Sequence, residues 1–199
     1  MPDPLPGHAW YALAQADDPA VQSPLGALLE SALGDAIESG VAHDATIAQS
    51  EAQAAELWAL RESIPEAQRR EGPNIKHDIS LPVSSIPSFL DQAKVQLDAA
   101  FPGVRYVTFG HLGDGNLHYN LAPPAGTSSG AFLDQAARAN RVVYDIVARL
   151  GGSFSAEHGI GQLKRDELTR YRSAIELELM RQIKRALDPH GLLNPGKVL

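Results

Sequence analysis

Cysteine is absent from the 199 residues. With it go disulfides, thiol nucleophiles, iron–sulfur clusters and Cys-ligated zinc. The absence says nothing about compartment, since a chain without thiols tolerates either redox state. Long apolar runs are missing too, and no stretch approaches the ~18 consecutive apolar residues of a membrane span. The opening Met-Pro-Asp-Pro-Leu-Pro has neither the positive nor the apolar region of a signal peptide, so a soluble, cytoplasmic protein is expected. Positive charge is scarce: 17 Lys and Arg stand against 24 Asp and Glu, a net charge of −7. Without a basic run or face, nucleic acid is a poor partner. What remains is ordinary globular composition, 44% hydrophobic and 21% charged, enough for one large domain or two small ones. Disordered, collagen-like and small disulfide-stapled classes are excluded.

Residues 1–7, rich in proline, read as a loose leader before a domain over 8–199. Strands are expected over 8–16 and 41–48. Between them Leu25, Leu28, Leu29, Leu33 and Ile37 keep helical spacing until Gly40. A second helix over 49–70 should be kinked or interrupted at Pro65. Residues 74–83 alternate, with Ile75, Ile79 and Leu81 on one face and Lys76, Asp78 and Ser80 on the other. That parity makes His77 a packed residue. Ser84 or Ser85 caps a helix to about residue 100; strands follow over 104–110 and 118–122. A helix over 131–150, a short extended piece over 153–157 and a mostly helical stretch over 163–187 complete the order. Short, hairpin-like strands alternating with helices favour an α+β fold, an antiparallel sheet with helices on one face, over a doubly wound parallel sheet.

Reactive side chains are densest in GHLGDGNLHYN, residues 110–120. Asp114-Gly115 is a strong two-residue hairpin turn signal. With those two residues as the turn, Gly113 faces Asn116, Leu112 faces Leu117, and His111 faces His118. Directly opposed Cβ atoms lie about 4.5–5.5 Å apart, close enough for two imidazoles to share one metal ion. Asn120, two residues beyond His118, projects on the same face. The plain alternative is a pair of cross-strand histidines satisfied by their neighbours. Phosphate binding by the glycines is disfavoured, since Gly110, Gly113 and Gly115 do not follow the dinucleotide spacing and no Walker Lys-Ser/Thr follows.

A second cluster, AEHGIG at 156–161, ends an extended piece just before a helix. Glu157 would complete a set of two histidines and a carboxylate with a coordination position left open. His158 would then be free as a general base. The alternative is a Glu-His pair serving the free N–H groups of a helix start.

The segments GHLGDGNLHYN (110–120), AEHGIG (156–161) and LDPHGLLNPGKVL (187–199) resemble the C-terminal portion of FAD-linked oxidases, flavoproteins of the vanillyl-alcohol-oxidase type. LWALRESIPEAQRREGPNIKHDISLPV (57–83) resembles most closely the D-2-hydroxyglutarate dehydrogenase branch, and the likeness runs over residues 8–199. The resemblance implies a substrate domain with a ferredoxin-like core, an antiparallel sheet covered by helices, and a C-terminal helical segment. It implies that His111, His118 and Glu157 hold a divalent metal, usually zinc, which takes the hydroxyl and carboxylate oxygens of a 2-hydroxy acid. His158 would accept the hydroxyl proton as the 2-hydrogen leaves as hydride for the flavin. Arg61, Lys76 and Asn120 look like substrate contacts, and an Arg with a Lys suits a dicarboxylate. Asn194, in the closing Asn-Pro-Gly-Lys turn, resembles a residue near the flavin. One departure stands out: Pro65 occupies a position where the family often has a hydroxyl residue that binds substrate.

Nothing in the sequence supplies a flavin-pyrophosphate cradle. The resemblance therefore implies an FAD-binding domain as partner, no turnover by this chain alone, an electron-accepting protein or quinone downstream, and an exposed surface inviting a homodimer. D-lactate or glycolate oxidation is the nearest alternative within the family. Outside it stand a non-catalytic domain that captures a hydroxy acid or a partner, and a metal hydrolase using His111, His118 and Glu157.

Overall fold

In the computed structural model, which describes residues 4–20 and 22–199, the apolar spacing after Pro24 becomes helix α1, Leu25–Glu38. Gly40 ends it in the left-handed region, φ +73°. Its N–H reaches Ile37 O and the Val41 N–H reaches Ala36 O, the paired closure that lets a glycine terminate a helix. Ser50 caps α2, Glu51–Glu62, by accepting the Gln53 N–H. Pro65 then falls in the first turn of α3, Ile64–Glu71, where its missing N–H costs nothing. These helices belong to one compact unit, residues 1–71, and the rest of the chain, 72–199, forms another. The strands expected over 8–16 and 41–48 are not formed; both stretches are irregular and largely exposed, with Trp10, Tyr11 and Val41 open to solvent. Of the expected leader, residues 1–3 lie outside the described residues.

The second unit is an α+β sandwich. Its strands are β1 (Asp78–Ser80), β2 (Arg105–His111) and β3 (Asn116–Ala122), all antiparallel in the order β1-β3-β2. Helix α4 (Ile86–Ala100) joins β1 to β2, while α5 (Ser129–Leu133) and α6 (Ala136–Arg149) follow β3. After α6 the chain returns to the free edge of β1, where Ser153 bridges Ser80 antiparallel. The order 4-1-3-2 over a βαββαβ path is ferredoxin-like, with the fourth strand reduced to one bridge. No serine side chain caps α4; a 3₁₀ turn over Val83–Ser85 runs into it instead.

The two faces of the sheet differ. Ile79, Leu117, Tyr119 and Leu121 meet Phe89, Ala93 and Leu97 of α4 and Val143, Ile146 and Val147 of α6 in one buried core. The Phe89 and Tyr119 rings sit edge-on, centroids 5.1 Å apart. Asp78, Asn116, His118 and Asn120 alternate onto the opposite face, and this face carries the reactive residues.

The mostly helical stretch expected over 163–187 consists of two helices, α7 (Arg165–Tyr171) and α8 (Ala174–Leu187). Ser173 breaks it by accepting the Glu176 N–H while the Glu176 carboxylate accepts the Ser173 N–H, a reciprocal cap. Ser173→Ala is expected to lower stability by about 1 kcal/mol in urea unfolding, and an unchanged midpoint would deny the cap that role. Along α8, Ile175, Leu179, Ile183 and Leu187 form an exposed row four residues apart.

Candidate active site

The hairpin closes differently from the expected two-residue turn. Leu112–Asp114 form a 3₁₀ turn, Gly115 is left-handed at φ +72°, and the Asp114 carboxylate accepts the Asn116 N–H at 3.0 Å. The register slips by two residues, so that His111 faces Asn116 and Phe109 faces His118. A slip of two leaves every side chain on its face, and His111 and His118 become diagonal rather than opposed neighbours. The Phe109 ring stands against His118, centroids 4.8 Å apart.

Glu157 bridges the diagonal. Its Oε1 lies 3.1 Å from His111 Nδ1 and its Oε2 lies 3.6 Å from His118 Nε2. Glu157 reaches this point because the segment after the Ser153 bridge folds across the open face of the sheet. Lys164 holds that segment from behind, its ammonium donating to Ser155 Oγ and Phe154 O, while Ser155 Oγ donates to Gly159 O. Burial pulls the Lys164 pKa down, and the Asp78 carboxylate pulls it back up.

Asp78 is the residue that sequence reasoning missed. Its side chain is only 2% exposed. Oδ2 accepts the N–H groups of Glu157 and His158 at 2.9 and 2.8 Å, Oδ1 accepts the Asn116 amide at 3.0 Å, and its main-chain oxygen accepts the Ala156 N–H at 3.2 Å. Burial by itself would raise its pKa. The His158 N–H, the Asn116 amide and the nearby charges of His158 and Lys164 outweigh burial and hold the carboxyl below its ordinary range. The only hint in the sequence is parity, which puts Asp78 on the polar face without distinguishing it from a solvated residue.

Among the described residues, the three whose ligand atoms all lie within 4.8 Å of one another are Asp78, His118 and His158, so His118 stands between two carboxylates. The two sets are not equal. Glu157 is half exposed, and its oxygens face the two imidazoles. Both oxygens of Asp78 already accept N–H donors, two at Oδ2 and one at Oδ1. Two imidazole nitrogens and a free carboxylate suit a borderline divalent ion such as zinc, and on that chemistry His111, His118 and Glu157 fit a metal.

The remaining expected residues are placed as follows. His77 is fully buried, as its parity requires, and its Nδ1 takes the Tyr119 carbonyl at 2.7 Å. That ring usurps a ladder bond, so the His77 N–H turns to Asn120 Oδ1 at 3.2 Å. The bond fixes the Asn120 amide, which is itself buried. Lys76 is exposed and, between the Ile75–Leu121 bridge and the Asp78–His118 pair, stands across from Asn120. The His158 side chain is 62% exposed, with Nδ1 3.5 Å from Asp78 Oδ2. Arg61 lies in the last turn of α2, in the other compact unit. Asn194 is left-handed, φ 45°, in a terminal turn tied to the segment after the site by the Val198 N–H to Gly161 O bond. Among the described residues no helix is long and apolar enough to cross a membrane.

The chain is 43% identical over 193 residues to the D-2-hydroxyglutarate dehydrogenase of Xanthomonas citri pv. viticola, covering 96% of this chain and 40% of that one. It is 41% identical over 162 residues to the enzyme of the same name from Stutzerimonas stutzeri, covering 81% of this chain and 35% of that one. The mitochondrial D-2-hydroxyglutarate dehydrogenase of Bos taurus matches at 40% over 178 residues, 88% of this chain and 30% of that one. The chain thus spans less than half the length of these relatives. Residues 3–198 match the family described as FAD linked oxidases, C-terminal domain, and with the relatives and the ferredoxin-like core this establishes that the chain belongs to that family.

Proposed function

We propose that this chain is the substrate- and metal-binding domain of an FAD-dependent D-2-hydroxy acid dehydrogenase, acting on a dicarboxylate such as D-2-hydroxyglutarate. The observation that carries the reading is Glu157 reaching His111 and His118 with its two oxygens on the open face of the sheet. A divalent metal held by these three residues, zinc being the first expectation, would polarise the substrate's hydroxyl and carboxylate oxygens. FAD is the hydride acceptor of the proposed reaction and belongs to an FAD-binding partner domain, with an electron-accepting protein or quinone beyond it. The exposed row on α8 supports a protein contact of that kind or a homodimer.

Within the chain, His158 takes the hydroxyl proton at Nε2, since its Nδ1 faces Asp78. Lys76 supplies a mobile positive charge for a carboxylate, and Asn120 presents an amide whose orientation is set by His77. Arg61 and Asn194 are assigned to substrate carboxylate and flavin respectively on the resemblance. The Pro65 departure favours a second reading, a smaller acid such as D-lactate or glycolate.

The metal content of the purified chain, measured beside His118→Ala, tests the reading. About one divalent ion per chain is expected, lost in the variant. Titration calorimetry of the loaded chain with D-2-hydroxyglutarate, D-lactate and glycolate then ranks the acids. Absence of metal with and without D-2-hydroxyglutarate would overturn the assignment, and tighter binding of D-lactate would move it to the second reading.

A further inference from the structure

Asp78 takes no part in the ligand set just assigned, yet three successive N–H groups of the segment carrying Glu157 and His158 end on it. Ala156 donates to its main-chain oxygen, and Glu157 and His158 donate to its carboxylate. The same carboxylate faces both imidazoles at one ring nitrogen. Oδ1 lies 3.9 Å from His118 Nδ1 and Oδ2 lies 3.5 Å from His158 Nδ1. An ionised carboxylate can only accept. A bare Nδ1 lone pair aimed at it is repelled, and an Nδ1–H is attracted, more strongly because the carboxylate is buried.

We propose that Asp78 is a positioning residue that selects the tautomer of His158, placing its proton on Nδ1 and leaving Nε2, on the ring edge away from Asp78, as a lone pair. His118 stands between two carboxylates, with Glu157 Oε2 3.6 Å from its Nε2 and Asp78 Oδ1 3.9 Å from its Nδ1, so the assignment is confined to His158. This rests on the reading of His158 as a base only for its purpose; the tautomer itself follows from the Asp78 contact. A carboxylate holding a base in its reactive tautomer is a general device.

His77 provides an internal reference. Its Nδ1 faces the Tyr119 carbonyl, an acceptor unconnected to the Asp78 carboxylate, so it too carries its proton on Nδ1. The test is long-range ¹H–¹⁵N NMR of the imidazoles in the metal-free, uniformly ¹⁵N-labelled chain, at a pH where the rings are neutral, beside Asp78→Asn. His158 is expected in the Nδ1–H form in the wild type. In D78N its ratio of Nδ1–H to Nε2–H should fall by roughly tenfold, the scale of a lost charge-assisted contact, while His77 is unchanged. An Nε2–H form of His158 in the wild type, or a D78N spectrum identical to it, would overturn the proposal. Were D78N unfolded, as loss of the His77 signal would report, the wild-type spectrum still decides. An Nδ1–H form of His158 in a chain that binds no metal would uphold the tautomer assignment while overturning the metal reading.

Discussion

Gly115→Ala is expected to destabilise the chain by about 3–5 kcal/mol in urea unfolding, whereas Gly113→Ala, two residues away, should stay within about 0.5 kcal/mol. Gly115 is left-handed, and a Cβ there would lie 1.9 Å from the Leu81 carbonyl oxygen. That oxygen is main chain, so no rotamer change relieves the clash. The approach is close because Leu81 N–H donates to Gly115 O at 3.0 Å, which ties the hairpin loop to the end of β1. Gly113 has a negative φ and open space around its Cβ position. A third substitution, Gly110→Ala, meets the Asn116 carbonyl at 2.0 Å and should resemble Gly115→Ala. Equal midpoints for all three variants would mean that the loop and its register are not as described. The comparison also explains the glycines without a phosphate. Gly110 and Gly115 admit close backbone approach beside the two histidines.

Gly115→Ala should also weaken the site, because Asn116 follows directly and gives its amide to Asp78. The site is built in layers from the sheet outward. Strand alternation puts Asp78, Asn116 and His118 on one face, Asp78 collects the N–H groups of the arriving segment, and that segment delivers Glu157 to His111 and His118. The inner layers are main-chain or short side-chain contacts, which fix the segment from which Glu157 extends.

How much of this was legible depended on the range of the interactions. Local signals held: Gly40 ends α1, Pro65 separates α2 from α3, and the alternation over 74–83 buries His77 while sending Lys76 and Asp78 to the other face. The hairpin register did not hold, because a 3₁₀ turn closed by Asp114 on the Asn116 N–H competes with the two-residue turn that Asp-Gly suggests. The faces survived only because the slip is even. Two apolar stretches, 8–16 and 41–48, carry strand-like composition but pair with no sheet, and an unpaired strand has nothing to satisfy its backbone. Asp78 was the deepest omission. Its burial is created by residues 79 and 80 positions further along the chain, and no local pattern in the sequence reports an acceptor for them.

His77 is expected to make the chain sensitive to acid by about 3 kcal/mol across the range from pH 6.5 to about 4. Burial pushes its imidazole down from 6.5 to about 4; the Tyr119 carbonyl and the Asn140 side chain pull it up, and the Lys164 ammonium adds a downward push. The Tyr144 ring stands edge-on to it at 5.7 Å. In the unfolded chain the same imidazole titrates at its ordinary value. Between the two values the unfolded chain binds more protons, so stability rises with pH there. The full contribution is present above 6.5 and is lost as the pH falls through about 4. Carboxylates add their own acid dependence, so the diagnostic is a difference between two proteins. His77→Leu removes the titration while retaining an apolar side chain, at the cost of the Tyr119 carbonyl bond, and should be less stable than the wild type near neutral pH. Urea unfolding over this range should show the difference between the two moving by about 3 kcal/mol in the variant's favour as the pH falls. Parallel stability curves would mean that His77 is not buried as a neutral imidazole, and the interruption it makes between β1 and β3 would then need another cause.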